Sequence, residues 1–191
     1  METKESKLSK IKLGMIWYED DSFSFELIAN KRIKAVVELI KDGIIYGDLT
    51  VSEIMDIKEN QLNWKDILHS IRYLSRAFNF NNMYIQSVSW FDIDMLSEVY
   101  ERYDVVRKTF DMLGKSSRKG IYWTKSASSG KLETGFLLDF SSGKIIDEHI
   151  EKRYDFRPVL SLRIVDDCYF KDSELNAELC SLLSSIFYTY Q

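Results

Sequence analysis

Apolar and polar residues alternate with the period of a β-strand in several stretches of the chain. The clearest example is a pair of runs rich in β-branched residues, 33–40 and 44–49, joined by Lys-Asp-Gly at 41–43. Because glycine adopts a positive φ angle without steric cost, Asp-Gly between two such runs predicts a β-hairpin. Looser alternation over 11–18 and 84–90 predicts two further strands.

Two other segments repeat their apolar residues every three or four positions, which is the period of an amphipathic helix. The first spans 63–78, and Asn63 stands where an N-cap residue is expected. The second begins after Asp92, another capping residue, and ends before Gly114, a residue type common just beyond helix C-termini. The pattern leaves open whether residues 102–104 divide this second segment into two shorter helices.

The stretch from residue 120 to residue 163 contains strand signals in close succession. An aromatic strand, a Ser/Gly loop, a second apolar strand and a Ser-Ser-Gly turn precede a final strand opened by Arg157 and Pro158. Leucines then line one side of a helix predicted over 173–190. Since no repeat, low-complexity run or Pro/Gly-rich linker interrupts the chain, residues 1–191 are expected to form a single α+β domain.

Composition narrows the classes of protein to consider. The chain has 191 residues, of which 26 are basic and 30 acidic, and its net charge is −4. This balance argues against a nucleic-acid binder, which would carry an excess of positive charge. Aromatic residues reach 14%, and they are interpreted mainly as core, with an exposed recognition patch as the alternative.

The sequence gives no sign of membrane insertion or of a disulfide framework. No apolar run approaches the ~20 residues that cross a bilayer, and the polar N-terminus lacks the apolar core of a signal peptide. A cytoplasmic location is therefore expected unless a signal was removed. Cys168 and Cys180 are too few for a framework and lack zinc-site spacing, so buried free thiols are favoured over a bridge.

Five blocks of sequence, taken in order, resemble one bacterial domain class. They are similar to blocks of the C-type-lectin-like domains found in bacterial collagen-like adhesins and in the "major paralogous domain" surface proteins. The blocks are a Trp followed by LSEVY within 90–100, FDMLG at 110–114, GIYWTKS at 120–126, GFLLDFSSG at 135–143 and YDFRPV at 154–159.

The resemblance covers about residues 11–165 and implies a C-type-lectin-like fold, with a twisted antiparallel sheet and two main helices. The helix at 173–190 would be an addition to that core. The family also implies recognition of a ligand at a surface. The Glu-Pro-Asn and Trp-Asn-Asp motifs of calcium-dependent sugar binders do not occur in the sequence, so a calcium-lectin mechanism is not expected.

The sequence contains no recognised catalytic or cofactor motif. It lacks a Gly-x-Ser-x-Gly elbow and both the P-loop and the dinucleotide-binding glycine patterns. His69 and His149, one in each half of the chain, lack the spacing of a metal site or a catalytic dyad. The acidic pairs 20–21 and 166–167 suit solvated turns better than calcium loops. The protein is therefore expected not to be an enzyme and to use no cofactor and no metal.

A basic cluster is the main candidate for ligand binding. No acidic residue interrupts the segment that holds its members, which are Lys115, Arg118, Lys119, Lys125 and Lys131. The strands around the Ser/Gly loop would gather these charges at one end of the domain, where a sulfated glycan or an acidic protein surface forms ion pairs. A solvated basic loop is the alternative. The predicted ligand-binding residues are Lys119, Lys125, Ser126, Ser128 and Lys131.

Two hypotheses of function follow. The first is a non-enzymatic binding module that recognises a glycan or a protein ligand through its loop face. The second is an intracellular acidic partner, comparable to an immunity or inhibitor protein, that binds a basic protein. The net charge of −4 favours the second hypothesis, whereas the family resemblance favours the first.

Overall fold

A computed structural model describes residues 4–52, 61–77, 84–127 and 133–164. Within these ranges the chain forms two β-sheets and four α-helices, an α+β architecture. The helices are α1 (Lys4–Lys10), α2 (Trp64–Ala77), α3 (Ile93–Glu101) and α4 (Tyr103–Met112). The strands are β1 (Ile16–Tyr18), β2 (Phe23–Ser24), β3 (Ile33–Lys41), β4 (Ile44–Asp48), β5 (Gln61–Leu62), β6 (Tyr84–Ser89), β7 (Ile121–Ala127), β8 (Thr134–Asp139), β9 (Lys144–His149), β10 (Tyr154–Asp155) and β11 (Val159–Ile164).

Six strands form the first sheet, in the order β2-β1-β3-β4-β11-β6. All of its neighbouring strands are antiparallel. Strand β3 is buried along most of its length because apolar side chains pack on both of its faces. Val36 packs with residues of α3 and α4, whereas Ala35 and Val37 pack with Trp17 and Leu74.

Five strands form the second sheet, in the order β5-β10-β7-β8-β9. β7, β8 and β9 are antiparallel neighbours, whereas β10 runs parallel to β7. The family resemblance implies one antiparallel sheet, so the second sheet and its parallel pair correct that expectation. β5 and β10 contain two residues each, which is too short for a period-2 pattern to be visible in the sequence.

The predicted hairpin is confirmed. β3 pairs with β4 through Lys41 and Ile44, and the two residues between them, Asp42 and Gly43, have φ angles of 52° and 73°. Positive φ at both central positions is typical of the type I′ turn that Asp-Gly favours.

The two looser alternating runs have different outcomes. The strand predicted over 84–90 is confirmed as β6, which ends at Ser89. Residues 11–18 form a strand only over their last three positions, because Gly14 has a φ angle of 80° and turns the chain just before β1. The Gly14 N–H donates a hydrogen bond to the carbonyl of Val37 at 2.8 Å, which joins this turn to β3.

The first predicted helix is confirmed as α2, and its start is the predicted one. Asn63 precedes the helix, and its side-chain oxygen accepts a hydrogen bond from the Asp66 N–H at 2.9 Å. That bond satisfies one of the four backbone donors that every helix leaves free at its start.

The second predicted helical segment is two helices, since Arg102 lies between α3 and α4 with φ −113° and ψ 8°. Asp92 caps α3 by accepting from the Met95 N–H at 2.8 Å. After α4, Gly114 has a φ angle of 63°. The Gly114 N–H donates to Asp111 and the next N–H donates to Phe110, which completes a Schellman motif.

One buried cluster joins the two sheets to the helices. It contains Leu39 of β3, Val106 and Phe110 of α4, Tyr122 of β7 and Leu138 of β8. The segment that leaves α4 therefore passes between the first sheet and the start of β7. The predicted helix at 173–190, together with Cys168 and Cys180, lies outside the described residues.

Candidate functional site

An ion pair lies buried where the segment after α4 crosses β3. Arg118 Nε donates to Glu38 Oε1 at 3.0 Å, and Arg118 Nη2 donates to Glu38 Oε2 at 2.8 Å. The two side chains are 2% and 0% exposed. The Arg118 N–H also donates to the Tyr103 hydroxyl at 2.6 Å. This bidentate geometry fixes the path of the chain from Lys115 to Lys119 against the core.

A second arginine extends the buried pair into a network. Arg157 Nη1 donates to Asp48 Oδ2 at 3.0 Å and to Thr50 Oγ1 at 3.2 Å, and Arg157 Nη2 donates to the Ser116 carbonyl at 2.6 Å. Asp48 is fully buried and also lies 3.5 Å from Arg118 Nη2. These bonds join β4, the segment after α4 and the residues after β10.

The acidic groups of the network have shifted pKa values of opposite sign. Burial raises the pKa of Glu38 to about 7, although Arg118 opposes this. Burial would also raise the pKa of Asp48, but Arg157 and Arg118 outweigh it and hold that pKa below its usual value. Asp48 therefore stays ionised at neutral pH, whereas burial disfavours the ionised form of Glu38 and Arg118 favours it.

The exposed side of Arg157 lines a pocket of about 420 Å³. Three of its lining residues are cations, Lys115, Lys119 and Arg157, and among the described lining residues Asp155 is the one carboxylate. We call this cavity the basic pocket. The two lysines are exposed, while the Arg157 side chain is only 9% exposed and is held in place by the network.

Arg157 retains hydrogen-bonding capacity toward the basic pocket. Its contacts with Asp48, Thr50 and Ser116 use three of the five N–H groups of a guanidinium among the described contacts. The other two N–H groups have no partner among the described contacts. A guanidinium in a fixed orientation binds carboxylate, sulfate or phosphate oxygens with more geometric specificity than a mobile lysine.

Asp155 faces the start of β7 at one side of the basic pocket. A side chain at Gly120 would collide with the Asp155 carboxylate, so the close approach of the two residues requires glycine there. Burial raises the pKa of Asp155 above its usual value, and a hydrogen bond with Gln61 partly offsets this. The Asp155 carboxylate, which opposes the three cations among the described lining residues, is therefore protonated more easily than that of an ordinary aspartate.

A second pocket, of about 510 Å³, shares Ser117 and Lys119 with the basic pocket. Tyr100, Tyr103 and Phe140 contribute aromatic rings to it, with the Phe140 centroid 5.5 Å from Tyr100 and 5.3 Å from Tyr103. Lys119 lines both cavities. We call this second cavity the aromatic pocket. Aromatic walls with a charged rim are typical of small-ligand sites.

The structure places the predicted ligand-binding residues in different parts of the molecule. Lys119 lines both pockets, but Lys125 is at the far end of β7, roughly 20 Å away at the rise of an extended chain. Ser126 accepts a hydrogen bond from the Ile93 N–H at 3.0 Å and so supports the start of α3. Ser128 and Lys131 lie outside the described residues.

The prediction that the basic cluster gathers at one end of the domain is therefore wrong. β7 separates Lys119 from Lys125, and Arg118 is buried against Glu38 rather than displayed at the surface. Sequence reasoning missed Asp155. Arg157, which opens the last predicted strand, pairs with the Asp48 carboxylate. No local pattern in the sequence indicates that Arg157 also lines the basic pocket.

The other candidate groups have ordinary structural partners. Asp20 pairs with Lys31 at 2.6 Å, and Asp21 pairs with Lys34 at 2.7 Å, so both acidic residues of that turn are neutralised by lysines. His149 lies 3.3 Å from Glu133 at the surface. Within the described ranges, no group of three or more His, Cys, Asp or Glu residues is arranged to hold a metal ion. The pair at 166–167 lies outside them.

Comparison with known proteins does not assign this chain to a family. Neither a scan against models of protein families nor a search of curated protein sequences finds a match. Among the described residues, no helix combines the length and apolar character needed to span a bilayer. The function is therefore inferred from the geometry of the pockets.

Proposed function

We propose that the protein is a non-enzymatic binding module that holds an anionic group of a glycan or a protein ligand in the basic pocket. The observation that carries the proposal is the convergence of Lys115, Lys119 and Arg157 on one cavity that contains a single described carboxylate, Asp155. The exposed lysines attract the anion, and the immobilised Arg157 orients it.

The buried network gives the pocket a preorganised wall. Asp48, Thr50 and Ser116 hold the Arg157 guanidinium before any ligand arrives. Binding then costs less conformational entropy than it would with a freely rotating side chain. Two buried ionisable residues, Glu38 and Arg118, bind each other, which favours a structural role for them over a catalytic one.

The aromatic pocket provides room for the uncharged part of the ligand. Because Lys119 borders both cavities, a ligand whose anion contacts Lys119 extends naturally toward Tyr100 and Phe140. A sugar ring or an apolar side chain can pack against those rings. This arrangement favours a ligand larger than a free inorganic ion.

We also propose that residues 11–164 follow the C-type-lectin-like plan. The order of elements supports this: two helices, α3 and α4, precede the antiparallel strands β7, β8 and β9. Pro158 then leads into β11, which returns to the first sheet. The two-residue strands β5 and β10 extend the second sheet beyond that plan.

The proposal is tested by titrating the protein with a heparin-derived tetrasaccharide in a calorimeter. Lys119→Gln should raise the Kd about tenfold, the usual effect of losing one charged hydrogen bond. Lys125→Gln is the matched control, since it removes the same charge from an exposed position at the other end of β7. It should change the Kd by less than about twofold.

Equal losses of affinity in Lys119→Gln and Lys125→Gln would contradict binding in the basic pocket. They would indicate that the overall charge of the protein attracts the ligand. No binding by the unaltered protein at low salt would contradict the proposal for sulfated glycans. An acidic peptide of alternating Glu and Gly, titrated in the same way, then decides whether the pocket accepts carboxylates of a protein ligand.

A further inference from the structure

The turn between β2 and β3 displays large apolar side chains to solvent. Phe25 is 51% exposed, Leu27 60% and Ile28 37%. Single exposed apolar residues are ordinary on protein surfaces, whereas three within four consecutive positions form a patch of the kind that marks an interaction surface. We call residues 25–28 the apolar loop.

The apolar loop is held in one conformation by a buried tyrosine. Tyr18 is fully buried, and its hydroxyl donates to the Glu26 carbonyl at 2.9 Å while it accepts from the Ile28 N–H at 2.9 Å. Ser24 Oγ accepts from the Glu26 N–H at 3.0 Å, and the Lys31 N–H donates to the Ile28 carbonyl. A loop ordered in this way loses little conformational entropy when it binds.

Charges around the apolar loop restrict its partner. Glu26 lies between Phe25 and Leu27, is exposed, and has no ion-pair partner among the described side chains. At the base of the loop, Asp20 and Lys31 neutralise each other. Glu19 and Glu26 against Arg32 then leave one net negative charge around the patch.

We propose that the apolar loop is a docking surface for a protein that has an apolar cleft with a lysine or arginine at its rim. Phe25 and Leu27 fill the cleft, and Glu26 pairs with the cation. Interfaces commonly combine such a buried apolar anchor with a charged contact beside it. The surface shares no lining residue with the basic pocket, so it does not depend on that site, and it fits the hypothesis of an acidic partner for a basic protein.

Two other occupants fit the charges less well. A lipid surface would have to take up the Glu26 carboxylate together with Phe25 and Leu27, and anionic lipids would repel the net negative charge. A second copy of the chain would place Glu26 close to its symmetry mate in a two-fold contact, where like charges oppose association. A basic protein would neither take the Glu26 carboxylate into lipid nor place two like charges next to each other.

The test compares retention of proteins from the producing cells on immobilised wild-type protein and on two variants, F25S/L27S and E26K. Each retained protein is identified, produced separately and titrated against all forms of the chain. For a partner of the proposed chemistry, both variants should raise the Kd at least about tenfold, which is typical of losing an interface anchor or a desolvated charge pair.

Two matched controls separate the loop from general surface properties. Leu68→Ser removes an apolar side chain that is 44% exposed on α2, and Glu151→Lys reverses an exposed charge elsewhere. Both should change the Kd by less than about twofold. Circular dichroism should show that all four variants melt like the wild type, because every altered side chain is solvent-exposed.

Three results would overturn the proposal. The first is that no protein is retained, or that F25S/L27S retains the same proteins with unchanged affinity. The second is that F25S/L27S instead abolishes sedimentation with vesicles of equal phosphatidylcholine and phosphatidylglycerol, which would assign the loop to a membrane. The third is that it changes the mass of the protein in ultracentrifugation, which would assign the loop to self-association.

Discussion

Arg118 is the residue that links the core to the candidate site. Its guanidinium pairs with Glu38 through two hydrogen bonds and lies 3.5 Å from Asp48. It also sits 5.2 Å from the centre of the Tyr122 ring. A buried charge with this many partners fixes the segment that carries Lys115 and Lys119.

Removing the positive charge of Arg118 should lower the free energy of unfolding. Arg118→Met keeps much of the side-chain volume but leaves the buried Glu38 carboxyl group without its cation and Asp48 with Arg157 alone, and breaking a buried pair typically costs ~3–5 kcal/mol. Chemical denaturation of the variant should show this loss of unfolding free energy. The neighbouring exposed Lys119→Met is the control and should stay within about 0.5 kcal/mol of wild type. Similar stability of the two variants would show that the network does not hold this segment.

Glu38 should make stability depend on pH near neutrality. Its pKa is raised to about 7 in the folded protein, from an ordinary value of 4.5. Between those values the folded state binds more protons than the unfolded state, so the free energy of unfolding contributed by Glu38 falls as pH rises from about 4.5 to about 7. Denaturant titrations across this range should show that fall in the wild type.

The Glu38→Gln variant should lack this fall, whatever its overall stability, because glutamine does not titrate. Asp20→Asn is the control, since the pKa of Asp20 is lowered to about 2 by its hydrogen bond with Lys31. The stability from Asp20 is lost only below pH 3.8, as pH falls toward 2. If Glu38→Gln and the wild type have parallel profiles from pH 4.5 to 7, Glu38 does not titrate there.

The start of α3 explains the position of Ser126, a residue that the sequence predicts as a ligand contact. Asp92 satisfies the Met95 N–H, and Ser126, a residue of β7, satisfies the Ile93 N–H. Two of the four free donors at this helix start are therefore capped by side chains from different elements.

Ser126→Ala should lower the free energy of unfolding by ~1 kcal/mol, since the Ile93 N–H loses its partner. Asp92→Ala should cost a similar amount as the loss of an N-cap. Neither change should alter the affinity for the heparin-derived tetrasaccharide. If Ser126→Ala weakened binding without lowering stability, Ser126 would be a ligand contact and its assignment to α3 would be wrong.

Elements with strong local signals are the ones that the sequence predicts. The Asp-Gly turn, the Asn63 and Asp92 caps and the Gly114 terminus each depend on neighbouring residues, and each is confirmed. The second sheet depends on pairing between distant strands, such as β5 with β10. Periodicity within a segment carries no information about such pairing.

The candidate site follows the same rule. Lys119 lines the basic pocket, but the burial of Arg118 depends on Glu38, a residue of another element. The sequence alone does not reveal the pairing of Arg118 with Glu38, so a run of basic residues resembles a solvated surface. The role of Arg157 in the basic pocket likewise depends on Asp48 and Thr50, which hold its guanidinium in place.

For the molecule as a whole, charge is distributed unevenly. The net charge is −4, yet the basic pocket collects Lys115, Lys119 and Arg157. The apolar loop lies outside that pocket and is bordered by carboxylates. Under the two proposals, the basic pocket would hold an anionic group of one ligand, and a separate protein partner would bind the apolar loop.

The proposed anion site lies between the segment after α4 and β10, and a sodium sulfate titration followed by the backbone amide signals in nuclear magnetic resonance tests it residue by residue. Sodium chloride at matched ionic strength is the reference. We predict that saturable shifts concentrate at residues 115–120 and 155–157, and that Lys119→Gln weakens them. Shifts centred on residues 125–127, or none beyond the chloride reference, would show that the basic pocket does not hold an anion.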